Sequence, residues 1–217
     1  MRSTRDVCEA LDRIASGPYS EFSGRLVADD DPRRSVTADG LLDATTRSAI
    51  EARFARRFAH FDPRAVHSIW MKWYVYAVVP PFLLADLLLQ RTLPAALDQT
   101  RFIIGDDDRV AALVIAGPGI DTTATPPFDR LDELVFGHFA PLIDLWITRT
   151  DLTRRVLWSN VGNTFEAMCQ RHCKNASARR SKNTSVMLSK KPPNWGPFRQ
   201  ASGLGGIVCR CIRAGAA

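Results

Sequence analysis

No acidic residue follows Met168. Residues 169–217 carry ten bases (Arg171, Lys174, Arg179, Arg180, Lys182, Lys190, Lys191, Arg199, Arg210 and Arg213) and neither Asp nor Glu. The chain has 29 bases and 23 acids, so residues 1–168 keep 19 bases against every acid, −4 beside +10. At the acid density of the first part, a stretch of this length should hold roughly seven acids. Past Cys169, Ser, Asn, Lys and Arg alternate without an apolar face. Pro192-Pro193 and Gly196-Pro197 interrupt the backbone, and Gly203, Gly205 and Gly206 loosen it. Such a segment buries too little apolar surface to offset its ordering entropy. Folding is thereby confined to what precedes it, and residues 169–217 are predicted to be a disordered basic tail.

The remainder is 1–38, read as a loosely attached leader, and 39–168, a helical body. The leader has one short helix-like piece over 6–15, then Gly, Pro and Ser and the run Asp29-Asp30-Asp31-Pro32. In the body Ile50, Phe54 and Phe58 recur every four residues, the spacing of one helix face. Pro63 suits the first turn of a second helix striped by Val66, Ile69, Trp70, Trp73 and Ala77. Pro80-Pro81 is expected to end that helix and start another, apolar nearly all round from Phe82 to Leu89, which must be buried. Residues 74–89 are shorter than the ~20 needed to span a bilayer. The period then changes. Residues 100–104 and 110–116 are short runs rich in Ile and Val around Gly105-Asp106-Asp107-Asp108-Arg109, the pattern of a β-hairpin. A helix over 128–148 follows, with Pro141 as its point of division, and a final one runs to Met168 from a cap at Thr150 or Asp151. The fold class is α+β, mainly α-helical with a small antiparallel β-hairpin.

Few residues carry chemistry on their own. His138 and His172 have no second ligand at helical metal spacing, so they read as structural histidines. Asp106, Asp107 and Asp108 read as a solvated turn rather than a cation site. Gly117-Pro118-Gly119 terminates a strand; no Gly-Lys-Ser/Thr follows it to make a phosphate loop. Trp70, Trp73, Trp146 and Trp158 lie mostly on apolar stripes, with one of them the candidate for a ligand-facing aromatic. The tail's charges attract anionic surfaces without specificity, and Trp195 and Phe198 alone do not make a sequence-specific nucleic-acid reader. Five scattered cysteines exclude a secreted disulfide framework. Residues 1–12 lack the apolar run of a signal peptide. The cytosol is the expected location, with peripheral contact at the inner membrane as the alternative.

Residues 73–97 (WYVYAVVPPFLLADLLLQRTLPAAL), the hairpin RFIIGDDDRVAALVIAG, HFAPLIDLW at 138–146 and LWSNVGNTFEAM at 157–168 resemble the FhuF family of ferric-siderophore reductases. They are more loosely similar to the C-terminal part of the IucA/IucC aerobactin-type synthetases. The resemblance covers roughly residues 45–168. It implies a ferric siderophore as substrate, an electron donor of unknown identity, and reduction of Fe(III) to release iron. It also implies a [2Fe–2S] cluster held by a Cys-Cys pair and, about ten residues later, a Cys-x-x-Cys. Here the corresponding cysteines are Cys169, Cys173, Cys209 and Cys211, with no Cys-Cys pair. They are either an unusual cluster set or incidental thiols; Cys8 is incidental. The abrupt change after Met168, where the family's ligands belong, is what truncation or a shifted reading frame produces. Without a cluster, the body remains a siderophore- or partner-binding protein.

Overall fold

The computed structural model describes residues 3–181 apart from Ala59, Pro127 and Phe128. Six α-helices among them surround a small mixed sheet: α1 (Thr4–Ala15), α2 (Ala38–Leu42), α3 (Ala44–Ala55), α4 (Pro63–Leu89), α5 (Ala140–Ile147) and α6 (Arg154–Ser181).

The N-terminal segment is not loose. Ser3 caps α1 reciprocally with Asp6, satisfying two end-of-helix donors at once. Val7, Cys8, Leu11 and Ala15 then form a buried stripe against α4, and Tyr19 and Phe22 continue it. The polar Gly-Pro-Ser stretch that reads as a linker is a pair of tight turns between apolar anchors.

The longest helix departs furthest from its prediction. α4 begins at Asp62, whose carboxylate accepts from Arg64 N at 2.7 Å, and runs unbroken through Pro80 and Pro81 to Gln90, which closes it in the left-handed region at φ 52°. Two adjacent prolines remove two donors from the ladder. Burial supplies the compensation: every residue from Ala77 to Asp86 is buried. By length and composition α4 is apolar enough to cross a membrane, yet 72% of its most apolar window is buried inside the fold. Asp86 on this helix is 2% exposed, and Arg130 Nη1 lies 3.6 Å from it. Burial raises its carboxyl above the ordinary range against the pull of Arg130.

The hairpin forms as its period predicts. β4 (Arg101–Ile104) and β5 (Val110–Val114) pair antiparallel, Phe102 opposite Leu113. β2 (Val36–Thr37) extends the β4 edge antiparallel, whereas β1 (Leu26–Val27) joins β5 in parallel, Leu26 opposite Leu113. The side chains alternate: Phe102, Val110 and Leu113 enter the main core, while Ile103, Ala112 and Val114 gather with Val27 on the other face. β3 (Arg91–Thr92) and β6 (Ile120–Asp121) form a separate ribbon. Between them Gly119, at φ 69°, leaves no room for a side chain, since a Cβ there would sit 2.1 Å from Thr92 O.

Pro141 divides its helix by changing register. Residues Glu133–Phe139 form a π-helical turn in which Ala140 N donates to Val135 O, five residues back, and α5 follows. The wide turn places both His138 and Phe139 fully inside. The last helix is capped by Thr153, whose hydroxyl accepts from Val156 N at 3.3 Å, not by Thr150 or Asp151. Its buried stripe of Leu157, Val161, Phe165 and Met168 continues through Cys169 and His172, and the helix extends to Ser181. The predicted boundary at 168 therefore falls inside a helix, because a histidine occupies the next position of an otherwise apolar stripe. The tail prediction for 182–217 lies outside the described residues.

Candidate functional site

Trp70, Trp73 and Tyr74 lie within two turns of α4 and meet different surroundings. Trp70 and Tyr74 point inward. Trp73, 41% exposed, points out with Tyr76 beside it, their rings 6.1 Å apart and nearly perpendicular.

Over Trp73 lies the hairpin turn. Gly105 N donates to Arg109 O, Asp108 N donates to Gly105 O, and Asp108 takes the left-handed region at φ 59°, which Asp tolerates better than most residues. Asp107 then faces Arg109, accepting from its backbone N at 3.2 Å and its Nε at 2.5 Å. Burial opposes ionisation of Asp107, but the bonds from Arg109 outweigh it and hold the carboxyl below its usual range. So oriented, the Arg109 guanidinium lies 4.2 Å above the Trp73 ring, within cation–π distance.

Arginines of α3 and the turn after it grip the hairpin from the other side. Arg53 Nε donates to Asp108 Oδ1 at 2.5 Å, and Arg57 donates to the carbonyls of Asp107 at 2.6 Å and Asp106 at 3.3 Å. Trp70 Nε1 donates to Asp108 O at 3.2 Å. The three aspartates are thus not a uniformly solvated turn: Asp108 is 7% exposed. Its burial depends on Arg53, a partner 55 residues away that local composition does not reveal.

Tyr76 carries the band onward to Phe22, at 5.4 Å between rings. Its hydroxyl donates to Glu21 Oε1 at 3.4 Å, and burial, then the Glu21 charge, pushes its phenol upward. Glu21 is held in ionised form by Arg171 of α6, whose guanidinium also lies 5.4 Å from the Tyr19 ring and 5.7 Å from that of Phe22. Arg25 donates to the carbonyls of Val110 and Ala111 at 3.2 and 3.1 Å. The result is a surface band of Arg109, Trp73 and Tyr76, joined beneath the surface through the buried Phe22 ring to Arg171. It combines aromatic faces with planar cations, a surface suited to a bulky, oxygen-rich small molecule.

The sequence-derived candidates fall elsewhere. Cys169 and Cys173 share one face of α6, one turn apart; Cys169 is fully buried, and Cys173 is half-buried against the same core. Burial, reinforced by Glu166, pushes the Cys169 thiol up to about 12. A cluster ligand must be a thiolate, and that environment disfavours one. Cys209 and Cys211 lie outside the described residues. Among the described residues no three His, Cys, Asp or Glu side chains converge as a metal site. These residues alone do not fit a [2Fe–2S] centre. Cys8 is a buried thiol of the α1 stripe, also raised to about 12, first by burial.

Both histidines are interior groups with partners. His138 Nδ1 lies 2.7 Å from Ala95 O and Nε2 lies 2.7 Å from Tyr74 OH. The carbonyl can only accept, so Nδ1 carries the proton and Nε2 accepts from the phenol. Burial lowers the pKa of His138 to about 4. His172 Nδ1 is 3.3 Å from Tyr19 OH. Gly117-Pro118-Gly119 accepts rather than donates: Arg91 bonds to the carbonyls of Pro118 and Gly119. Of the tryptophans, Trp70 and Trp146 stack in the core at 5.0 Å, while Trp158 is half-buried and Trp73 lies on the band. The arginine over Trp73 escaped the sequence, which placed Trp73 on the apolar stripe of α4, whereas the structure turns it outward at 41% exposure.

A family model described as "Ferric iron reductase FhuF-like transporter" matches residues 68–199. It takes in Trp73, Tyr76, the hairpin and Arg171, begins later than the 45–168 expected, and continues past Met168 into the basic segment. Among curated proteins, the "Ferric siderophore reductase" of Escherichia coli (strain K12) is 27% identical over 97 residues, 44% of this chain. That alignment covers 37% of the relative, so the chain spans little more than a third of its length.

Proposed function

The chain belongs to the ferric iron reductase FhuF-like family, and we propose that it binds a ferric siderophore on the Arg109–Trp73–Tyr76 band as the recognition step of reductive iron release. The observation that carries this reading is the open Trp73 ring under Arg109, within the family-matched residues. Fe(III) is a hard ion held by hard oxygen donors, and one added electron makes it softer and more weakly held. An aromatic face takes the apolar side of such a complex, and guanidinium groups take its oxygen-rich side. The action is assigned to the cytosol. The electron comes from a donor whose identity is open.

A second reading is a binding protein that does not itself reduce iron. The buried, neutral thiol of Cys169 favours it. Anaerobic purification of the full chain separates the two, followed by iron and sulfide assay, tryptophan-fluorescence titration with a ferric trihydroxamate, and capture of Fe(II) by a coloured chelator. About two irons and two sulfides per chain, with Fe(II) captured on adding reductant, establishes the reductase. Colourless protein that still quenches on titration establishes the binding protein. Neither quenching nor Fe(II) release refutes both.

A further inference from the structure

Beside the band, the end of α3 and the turn after it open a cleft of about 550 Å³ lined by Arg53, Arg56, Arg57, Gly105, Asp106 and Asp108. Basic residues at a helix C-terminus complement its dipole, and Arg53 has a further use in pairing with Asp108. The other cations are not neutralised. Arg57 gives one bond each from Nη1 and Nη2 to backbone carbonyls and keeps further N–H groups, and the carboxylate its charge acts on, Asp107, is already paired with Arg109. Arg56 is exposed and meets no carboxylate among the described residues. On the far side of the turn, Arg25 bonds to the carbonyls of Glu21, Val110 and Ala111. Against these stand Asp107, paired with Arg109, and the exposed Asp106 at the cleft rim. Asp107 links the cleft to the Trp73 band across the turn, its carbonyl accepting from Arg57 and its carboxylate from Arg109, which lies over Trp73.

We infer that the face prefers ferric siderophores carrying a free acid group, the siderophore body lying on Trp73 and the acid seated in the cleft at Arg56 and Arg57. This rests on the binding role proposed above. A carboxylate accepts charge-assisted hydrogen bonds from guanidinium groups in a fork geometry that a neutral amide does not match. Arg57 is already held in place by the turn, so its positioning is complete before the ligand arrives.

The test uses one linear ferric trihydroxamate whose terminal amine is either acetylated, neutral, or succinylated, bearing one carboxylate. Both are titrated against the full chain by tryptophan fluorescence at low and high salt. The succinylated complex should bind about tenfold tighter at low salt, the advantage shrinking as salt screens the contact. Arg56→Gln, with an unchanged circular dichroism spectrum, should bring the affinity ratio close to one. Asp106→Asn, which removes the opposing charge from an exposed position, should raise it. A wild-type ratio of one, or a ratio indifferent to both substitutions, overturns the acid preference while leaving siderophore binding intact. Failure of both derivatives to quench overturns the binding role and this inference with it.

Discussion

Trp70 and Trp73 sit three residues apart on one helix, and the surroundings of each decide what it does. Trp70 stacks on Trp146 at 5.0 Å and 10°, and its indole N–H supports the hairpin through Asp108 O. Next to it, Tyr74 and His138 use their polar atoms on each other and on Ala95 O. That side of α4 has little capacity left for a ligand, because its rings and most of its donors are engaged within the core. On the outer side Trp73 meets the Arg109 guanidinium and solvent, and 41% of it stays exposed. A residue type is thus no guide to role here. The number of unspent interactions is.

The sharpest way to break this comparison is at Trp70. Trp70→Ala removes the stack, a buried volume and the support of the turn, and should lower stability by about 3–5 kcal/mol, read as the shift of a urea unfolding midpoint. A loss under 1 kcal/mol would mean that the inner side is not the structural one. Asp86 and Arg130 test the same side by charge. Arg130→Met alone should cost roughly 3 kcal/mol by leaving a buried carboxylate unpaired, whereas Asp86→Leu with Arg130→Met should regain most of it. A double variant no more stable than the single one contradicts that account.

His138 ties the inner side to pH. Its pKa in the fold, about 4, lies below the ordinary 6.5, so between those values the unfolded chain binds the extra proton. Its contribution is complete above about pH 6.5 and is lost as pH falls toward 4, a change on the order of 3 kcal/mol. Urea midpoints of wild type and His138→Gln at pH 7, 5.5 and 4.5 measure it. The variant should be the less stable at pH 7 and flatter across the range; parallel profiles would falsify the assignment.

What the sequence disclosed follows from how local each cause is. The hairpin was legible because alternating Ile and Val around a Gly-Asp turn is a short-range pattern. The α3 stripe, and the burial of the segment after Pro81, were legible for the same reason. Pro80-Pro81 misled, since prolines break helices by local rules and only the enclosing core keeps α4 continuous. The leader misled because a single amphipathic helix looks dispensable until its partner is known. His172 concealed the continuation of α6: a polar side chain ended the apparent stripe, although Tyr19, 153 residues away, supplies its partner. The functional band was the least legible part. Trp73 was among four candidate tryptophans, but Arg109 reaches it, and Phe22 reaches Tyr76, only through tertiary structure. The four cysteines, prominent in the sequence, contribute within the described residues only one buried thiol and its half-buried neighbour.

The smallest expected change in stability is the one that most sharpens the contrast. Trp73→Ala removes an exposed ring and one cation–π contact, worth about 0.5–1 kcal/mol at such a site, and Arg109 keeps its bonds to Asp107. The urea midpoint should therefore hardly move. Affinity for a ferric trihydroxamate should nevertheless fall about tenfold, as when an aromatic anchor is lost from a binding surface; the quenching signal loses its nearest reporter as well. Isothermal calorimetry avoids that second loss, since it does not depend on the indole. Trp73→Phe should restore part of the affinity, because a smaller ring still offers a π face to both Arg109 and the ligand. If Trp73→Ala instead destabilised the fold as much as Trp70→Ala, both sides of α4 would be structural and the band would lose its claim to a ligand. If it left stability and affinity alike untouched, the site would lie elsewhere on the chain.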